Sequence, residues 1–195
     1  MEPIRRRSLI DAAIGAIHAR GSLDVTMSDI ARRAGVSQGL AHHYFGSKEH
    51  LIVSAMRHLL TEFGESVRSH LGRAKSPRQR VSAIIDASLA SDQFRPETVS
   101  AWLVFYVNAQ SSEAARRLLN VYSSRLNSNL IHALRPLAGA RAPEIAEGVA
   151  SLIDGLYIRE ALSPAGRVAI EPNALVERYV DCMVSAAGEG QSGRG

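Results

Sequence analysis

The chain has 195 residues, enough for one domain of moderate size or two small ones that share a core. Hydrophobic residues make up 46% of it, enough to bury a substantial core, so a mainly disordered chain is not expected. The formal net charge of +4 is too small to indicate an acidic partner without further evidence.

The cysteine count and the N-terminal sequence suggest a compartment. Cys182 is the single cysteine, so the chain cannot form an internal disulfide, and a reducing environment suits it. The start, MEPIRRRSLIDAA, has no signal-peptide core, and no run approaches the roughly 18 apolar residues of a membrane span. We therefore expect a cytoplasmic protein without a membrane partner.

Apolar residues recur at helical spacing throughout the chain, and the alternating pattern of a β-strand is almost absent. The first helix is expected over residues 4–20, with Gly21 at its end. Two short helices should follow. Thr26 and Asp29 form a capping-box pattern at the start of one, Gly35 ends it, and Ser37 caps the next.

The rest of the chain predicts longer helices, so the fold class is all-α with about nine helices. The longer helices are expected over residues 48–71, 77–92, 96–108, 112–135, 143–162 and 172–187, with Pro136 in a break. We expect an N-terminal domain over residues 1–47, a helical body over residues 48–187, and a disordered glycine-rich tail over residues 188–195.

Residues 30–45, IARRAGVSQGLAHHYF, have the layout of a helix-turn-helix, which places its second helix in the major groove of DNA. Gly35 permits the left-handed turn conformation, and Gly39 removes bulk where the backbone approaches DNA. The side chains expected on the outward face of the second helix are Gln38, Ala41, His42 and His43. Ser37, Tyr44 and Lys48 are expected near phosphates.

The adjacent histidines allow two other interpretations. They can simply lie on a solvent-exposed helix face, or they can bind a metal. Metal binding is the weaker alternative, because adjacent helical residues diverge by about 100° and no cysteine or carboxylate lies nearby at ligand spacing. We therefore expect neither a metal nor a cofactor.

The helical body contains a candidate dimerisation surface. Residues 143–162 are apolar on two faces, and with NALVERYVDCMV they predict half of a four-helix bundle between two subunits. Gly148, Ala150 and Gly155 would allow close approach, whereas Cys182 is expected to be buried core. An ordinary core helix within one subunit is the alternative.

The body also contains aromatic residues and a carboxylate that together suit a quaternary ammonium cation. These candidate effector-binding residues are Trp102, Phe105, Tyr106, Asp154 and Tyr157. Such a cation accepts no conventional hydrogen bond, so cation–π contacts and a counter-charge must attract it. The alternative is that the aromatic side chains are ordinary core and that Asp154 caps or pairs locally.

Residues 4–60 resemble the TetR family of bacterial repressors, through IRRRSLIDAAIGAIHARG and VTMSDIARRAGVSQGLAHHYFGSKEHL. The resemblance implies a three-helix DNA-binding domain, a helical ligand-binding body, and a homodimer on a palindromic operator. Its DNA-contacting positions correspond to Thr26, Ser37, Gln38, Gly39, Tyr44 and Lys48. His42 and His43 fall at positions that vary in the family, as expected of residues that determine operator specificity.

Body segments such as SAWLVFYVNAQ and LIDGLYIREALS are similar to choline-responsive members of that family. Tyr106 and Tyr157 stand where tryptophan is expected, and both keep a π face. The resemblance implies repression of genes for choline uptake and glycine betaine synthesis, relieved by choline. Choline between the 96–108 and 143–162 helices is then expected to move the 48–71 helix.

Other functions fit the sequence less well. A drug- or lipid-responsive repressor would need a broad apolar pocket, and the chain has only four methionines. An enzyme would need a nucleophile with its base, a phosphate loop or a metal cluster, and none is recognisable. A ligand-independent architectural protein would not need an aromatic and carboxylate group in its body. The sequence therefore predicts a regulator that is not an enzyme.

Overall fold

A computed structural model describes residues 2–162 and 171–192, and within those ranges it contains nine α-helices and no strand. The helices are α1 (Glu2–Arg20), α2 (Met27–Arg33), α3 (Gln38–Phe45), α4 (Lys48–Leu71), α5 (Pro77–Ser88), α6 (Pro96–Asn108), α7 (Glu113–Ala138), α8 (Ala142–Leu162) and α9 (Pro172–Ser192). A single 3-10 turn, Gly139–Arg141, joins α7 to α8. The all-α prediction is confirmed.

Some helix ends differ from the sequence prediction. Pro136 does not end α7 but lies inside it, two residues before the helix ends at Ala138. Proline removes one backbone N–H donor from the helix. Because α7 ends shortly after Pro136, no further hydrogen bond of the helix has to be lost. The helix α9 reaches Ser192, so residues 188–192 of the expected tail are helical. The expected loop after Leu162 and the last three residues lie outside the described residues.

The chain forms two compact units. Unit 1 consists of the described residues of 1–62 and 95–120, and unit 2 of those of 63–94 and 121–195. The boundary falls inside α4 and inside α7, so it does not coincide with the domain boundary expected at residue 47, which stays a prediction.

Unit 1 is organised around α1, which packs against both α2 and α6. Its buried face contains Leu9, Ala13 and Ile17, none of which is exposed. A hydrogen bond of 2.9 Å joins Nδ1 of His18 to the hydroxyl of Ser100 in α6. The α1 helix therefore holds the short helices α2 and α3 on a larger helical base.

Unit 2 contains the packed pair α8 and α9, with α5 against α9. Gly148 lies under the ring of Tyr179, and a Cβ at residue 148 would lie 1.9 Å from the Tyr179 hydroxyl. The expected close approach at Gly148 is thus confirmed within one subunit. Cys182 in α9 is exposed in the single chain, so the prediction that it is buried core is wrong. It lies on the side of α9 away from Val176 and Val180, which are fully buried.

Candidate DNA interface and effector site

The turn between α2 and α3 has the geometry that the sequence predicts. Gly35 has a φ of +68°, which an L side chain would oppose. Its N–H donates to the Arg32 carbonyl at 3.2 Å, and the Val36 N–H donates to the Ala31 carbonyl at 3.0 Å. These two bonds form a Schellman motif, which ends α2 sharply and directs the chain into α3.

The caps of both helices are also as predicted. The Thr26 hydroxyl oxygen accepts from the Asp29 N–H at 3.0 Å, and the Thr26 N–H donates to the Asp29 carboxylate at 3.2 Å. The hydroxyl and N–H of Thr26 lower the pKa of Asp29, with smaller contributions from Arg20 and Arg32. The Ser37 hydroxyl accepts from the Leu40 N–H at 3.2 Å and caps α3. Much of the role of Thr26 and Ser37 is therefore to shape the motif.

The outward face of α3 is close to the predicted one. Gln38, Gly39, His42 and His43 are exposed, as is the cap Ser37, and Tyr44 is partly buried. Ala41 is fully buried, so the prediction that it faces outward is wrong. It lies four residues before Phe45, which is 6% exposed, and the two side chains share the inward face.

His42 is held in one orientation by Gln38 of α3 and by Gly46, which caps that helix. Its Nδ1 lies 3.0 Å from the Gly46 carbonyl, which can only accept, so Nδ1 carries the proton. In the neutral ring Nε2 is then an acceptor, and the Gln38 amide nitrogen lies 3.5 Å from it. The neighbouring His43 ring meets Tyr44 edge-on, with 5.5 Å between ring centroids. The exposed polar groups of α3 are thus arranged before any partner arrives.

Charge around this motif favours an acidic partner. No aspartate or glutamate occurs between Asp29 and Glu49, a stretch that contains Arg32, Arg33 and Lys48. The Lys48 ammonium donates to the Leu23 carbonyl at 3.2 Å, which fixes the start of α4 beside the loop after α1. An ammonium has three donors, so Lys48 keeps capacity for a phosphate.

The predicted effector residues are divided between the two units. Trp102, Phe105 and Tyr106 lie on α6 in unit 1, and Asp154 and Tyr157 lie on α8 in unit 2. Trp102 and Tyr106 share a helix face as predicted, with 6.0 Å between ring centroids. Phe105 is fully buried and Trp102 is 6% exposed.

Unit 2 places Tyr157 in a buried aromatic pair that the sequence did not reveal. Its hydroxyl donates to the Ser88 carbonyl of α5 at 2.9 Å. Its ring stacks on Phe94, with 5.0 Å between centroids and 15° between planes. Burial raises the pKa of Tyr157, and the charges of Tyr122, Asp92 and Asp154 raise it further. The phenol is therefore neutral and fixed.

Tyr122 of α7 is the main residue that sequence reasoning missed. Its ring meets Phe63 edge-on at 5.2 Å. Burial raises the pKa of Tyr122, and the negative charge of Asp154 raises it further. No pattern within α7 marks this position, because the charge that acts on it belongs to α8.

Tyr122 and Asp154 line one cleft between α7 and α8, with a volume of about 260 Å³. The remaining lining residues are mostly polar: Ser123, Ser124, Leu126, Asn127, Glu147, Ala150 and Ser151. The buried Oδ1 of Asn127 has no hydrogen-bond donor within the described ranges 2–162 and 171–192. The cleft lining thus combines two carboxylates, of Glu147 and Asp154, with the aromatic side chain of Tyr122.

In the part of the chain that the structure describes, no three histidine, cysteine or acidic side chains cluster as metal ligands would. Among the same residues, no helix has both the length and the apolar character needed to cross a membrane.

Both regions match protein-family models. Residues 9–55 match the model described as bacterial regulatory proteins of the tetR family. Residues 77–185 match the model described as the C-terminal region of BetI-type transcriptional repressors. The second match alone covers more than half of the chain.

Curated relatives agree with these models. The HTH-type transcriptional regulator BetI of Brucella anthropi is 55% identical over 181 residues, covering 92% of this chain and 93% of that protein. The regulator of the same name from Agrobacterium fabrum is 53% identical over 192 residues, covering 98% of this chain and 93% of that protein.

Solved structures share the fold. A putative transcriptional regulator from Pseudomonas aeruginosa PAO1 aligns with a TM-score of 0.84 at 26% identity, covering 96% of this chain and 93% of that one. One from Saccharomonospora viridis, in complex with choline, aligns with a TM-score of 0.77 at 22% identity, covering 92% and 95%. Together with the relatives, these matches show that the chain belongs to the tetR family of bacterial regulatory proteins and is a helix-turn-helix transcriptional repressor of the BetI type, not an enzyme.

Proposed function

We propose that this repressor is released from its operator by choline, and that it controls genes of choline uptake and glycine betaine synthesis. The observation that carries the proposal is the cleft of unit 2, where Tyr122 and Asp154 offer an aromatic face and a counter-charge together. These are the two groups that a quaternary ammonium cation requires. The relatives named BetI support the same function.

The proposed cleft suits the cationic end of choline. A trimethylammonium group accepts no hydrogen bond, so it is attracted by the Asp154 carboxylate and by the ring face of Tyr122. Glu147 adds a second negative charge to the same wall. A structural neighbour crystallised with choline supports the capacity of the fold to hold this cation.

The other end of choline is a hydroxyl, and the cleft offers it an acceptor. The Oδ1 atom of Asn127 is buried and finds no donor among residues 2–162 and 171–192. We propose that the Asn127 side chain turns towards the cleft, so that Oδ1 accepts from the choline hydroxyl and the cost of its missing hydrogen bond is removed. Glycine betaine carries a carboxylate in place of the hydroxyl, and Asp154 and Glu147 would repel it. Selectivity for choline over its oxidation product follows from these charges.

The same lining argues against the alternative of a drug-like or lipid effector. Seven of the nine residues that line the cleft have polar side chains, among them three serine hydroxyls and two carboxylates. An apolar ligand would cover these groups without satisfying their hydrogen bonds, which costs free energy. Trp102, Phe105 and Tyr106 stay predictions from the sequence, since they belong to the other unit.

For the DNA interface we propose a homodimer on a palindromic operator, with one α3 helix in each of two successive major grooves, about 34 Å apart. Gln38, His42 and His43 would contact base edges, and Ser37, Tyr44 and Lys48 would contact phosphates. Thr26 would shape α2 beside the backbone, and Gly39 would let α3 approach closely. Choline must then bind one dimer geometry better than another, because a ligand with equal affinity for both shifts nothing.

The experiment that tests this proposal measures operator release. An operator duplex is first selected from a random-sequence library with the wild-type protein. The complex is then titrated with choline, with glycine betaine, and with the neutral carbon isostere of choline, in which a tert-butyl group replaces trimethylammonium. We expect saturable release with choline and little with the other two. Equal release by choline and by its neutral isostere would contradict the proposed cation site.

A further inference from the structure

Arg6, in the basic run Arg5–Arg7 near the start of α1, contacts the C-terminal end of the recognition helix α3. Its guanidinium Nη1 donates to the Tyr44 carbonyl at 2.9 Å. The same guanidinium lies over the Phe45 ring, with Cζ 4.7 Å from the ring centroid. One side chain therefore holds the last two residues of α3.

These contacts act where α3 needs them. Tyr44 contributes one of the last four carbonyls of the helix, which have no partner inside it. A positive charge at this end also complements the helix dipole. Phe45 is 6% exposed and anchors the inward face of α3, so a group that holds its ring also holds the helix axis. A helix of eight residues depends on such tertiary contacts for its pose.

The neighbouring arginines differ from Arg6. Arg7 binds the carboxylate of Asp11 at 3.0 Å and that of Glu62 in α4 at 2.8 Å. Burial disfavours its charge, and the two carboxylates outweigh that effect and raise the pKa of Arg7. Arg5 lies in the same turn of α1, and all three arginines are exposed, so they differ in their contacts and not in their exposure. The three arginines are thus not an undivided basic arm for DNA.

We propose that Arg6 is a positioning residue that sets the angle of α3 in the major groove, and that it does not contact DNA phosphate. The proposal rests on the family's DNA-binding role and is independent of which effector the protein recognises. It separates two roles that a basic residue near DNA can have, because only a phosphate contact releases a counterion when DNA binds.

The two roles predict different salt dependence. For Arg6→Ala we expect roughly tenfold weaker binding to the selected operator duplex, as expected for the loss of one charged hydrogen bond and one cation–π contact. Binding to a scrambled duplex should be unchanged. The slope of log affinity against log salt should also stay at the wild-type value, whereas a lost phosphate contact would reduce it by about 0.9.

Arg6→Lys is the complementary test, because it keeps the positive charge but removes the planar guanidinium that stacks on Phe45. A positioning role predicts operator affinity closer to that of Arg6→Ala, and a phosphate contact predicts near wild-type affinity. Arg5→Ala and Arg5→Lys are the matched controls, and circular dichroism confirms that each variant is folded. The proposal is overturned if Arg6→Ala leaves operator affinity unchanged, if it weakens both duplexes with a lower slope, or if Arg6→Lys binds like wild type.

Discussion

The helix-turn-helix and the effector cleft are built from contacts of different range. In the first, Thr26 pairs with Asp29 and Ser37 caps Leu40, each only three residues along the chain. In the second, the Tyr157 hydroxyl binds a carbonyl 69 residues away, and Tyr122 and Asp154 come from different helices. The DNA-facing surface is therefore fixed by turns and caps, and the cleft by the packing of long helices. Substitutions that disturb a turn should therefore affect the DNA-facing surface, and substitutions that disturb helix packing should affect the cleft.

The largest effect is expected from Gly148→Ala in unit 2. A Cβ at this position would lie 1.9 Å from the Tyr179 hydroxyl and 2.6 Å from its ring carbon Cζ. The ring must move, and relative to the same exchange at an open helix position, overpacking of this kind costs about 1–3 kcal/mol of unfolding free energy. Chemical denaturation measures the loss, and a second substitution, Tyr179→Leu, should recover part of it.

Gly64→Ala in α4 is the matched control for that experiment. A Cβ at residue 64 would meet nothing within 4 Å. In a helix this exchange stabilises by about 0.5–1 kcal/mol. If Gly148→Ala and Gly64→Ala had the same effect, close packing of α8 on α9 would not hold unit 2 together.

A smaller effect is expected at the turn of unit 1. Gly35 has a φ of +68°, so Gly35→Ala forces an L side chain into the left-handed region at a cost of about 1–2 kcal/mol. Operator affinity should fall with it, because the substitution changes how α3 leaves the turn. Thermal unfolding and operator binding measure the two effects.

Gly39→Ala is the informative contrast within the same motif. Gly39 is exposed in α3, and a Cβ there would meet no protein atom within 4 Å. We expect a small gain in stability of up to about 1 kcal/mol, together with weaker operator binding. Unchanged operator affinity would show that the backbone at Gly39 does not approach DNA.

The smallest effect is a pH dependence in the cleft. The folded state raises the pKa of Tyr122, chiefly by burial, above the unfolded value of about 10. Its contribution to stability is full below that value and is lost as pH rises towards the folded pKa. At pH 10.5 the loss is about 0.8 kcal/mol for one such group.

Tyr122→Phe should therefore show a smaller fall in stability between pH 9 and pH 10.5 than the wild type. Phe63→Leu is the control, because it alters the ring that packs on Tyr122 and leaves the phenol in place. Urea unfolding at each pH measures the difference. Identical falls in the wild type and in Tyr122→Phe would contradict the desolvated phenol.

The contrast in contact range also explains what the sequence predicts well. The capping box at Thr26 and the left-handed Gly35 depend on neighbouring residues, so local patterns identify them. The prediction that Ala41 faces outward is wrong, although its spacing from Phe45 is a local signal of burial. The contact of Arg6 with Tyr44 joins residues that are 38 positions apart, so no local pattern predicts it.

In unit 2 the sequence predicts helices better than their partners. Asp154 is recognisable as a polar residue in an apolar helix, but Tyr122 becomes a candidate only when α7 and α8 are placed side by side. The stacking of Phe94 on Tyr157 is equally non-local. A proline alone does not predict where a helix ends, because Pro136 lies inside α7 near its end. The spacing of apolar residues identifies the helices, whereas the packing of those helices decides which side chains contact each other.

The proposed release by choline depends most on Asp154 as the counter-charge for the cation in the cleft of unit 2. Calorimetric titration of the wild type, Asp154→Asn and Glu144→Gln with choline tests it most directly. Glu144 is a matched control on α8, because its carboxylate binds Arg141 and does not line the cleft. We expect saturable binding by the wild type and Glu144→Gln, and at least roughly tenfold weaker binding by Asp154→Asn, about 1.4 kcal/mol. Equal affinity in all three proteins would contradict the account.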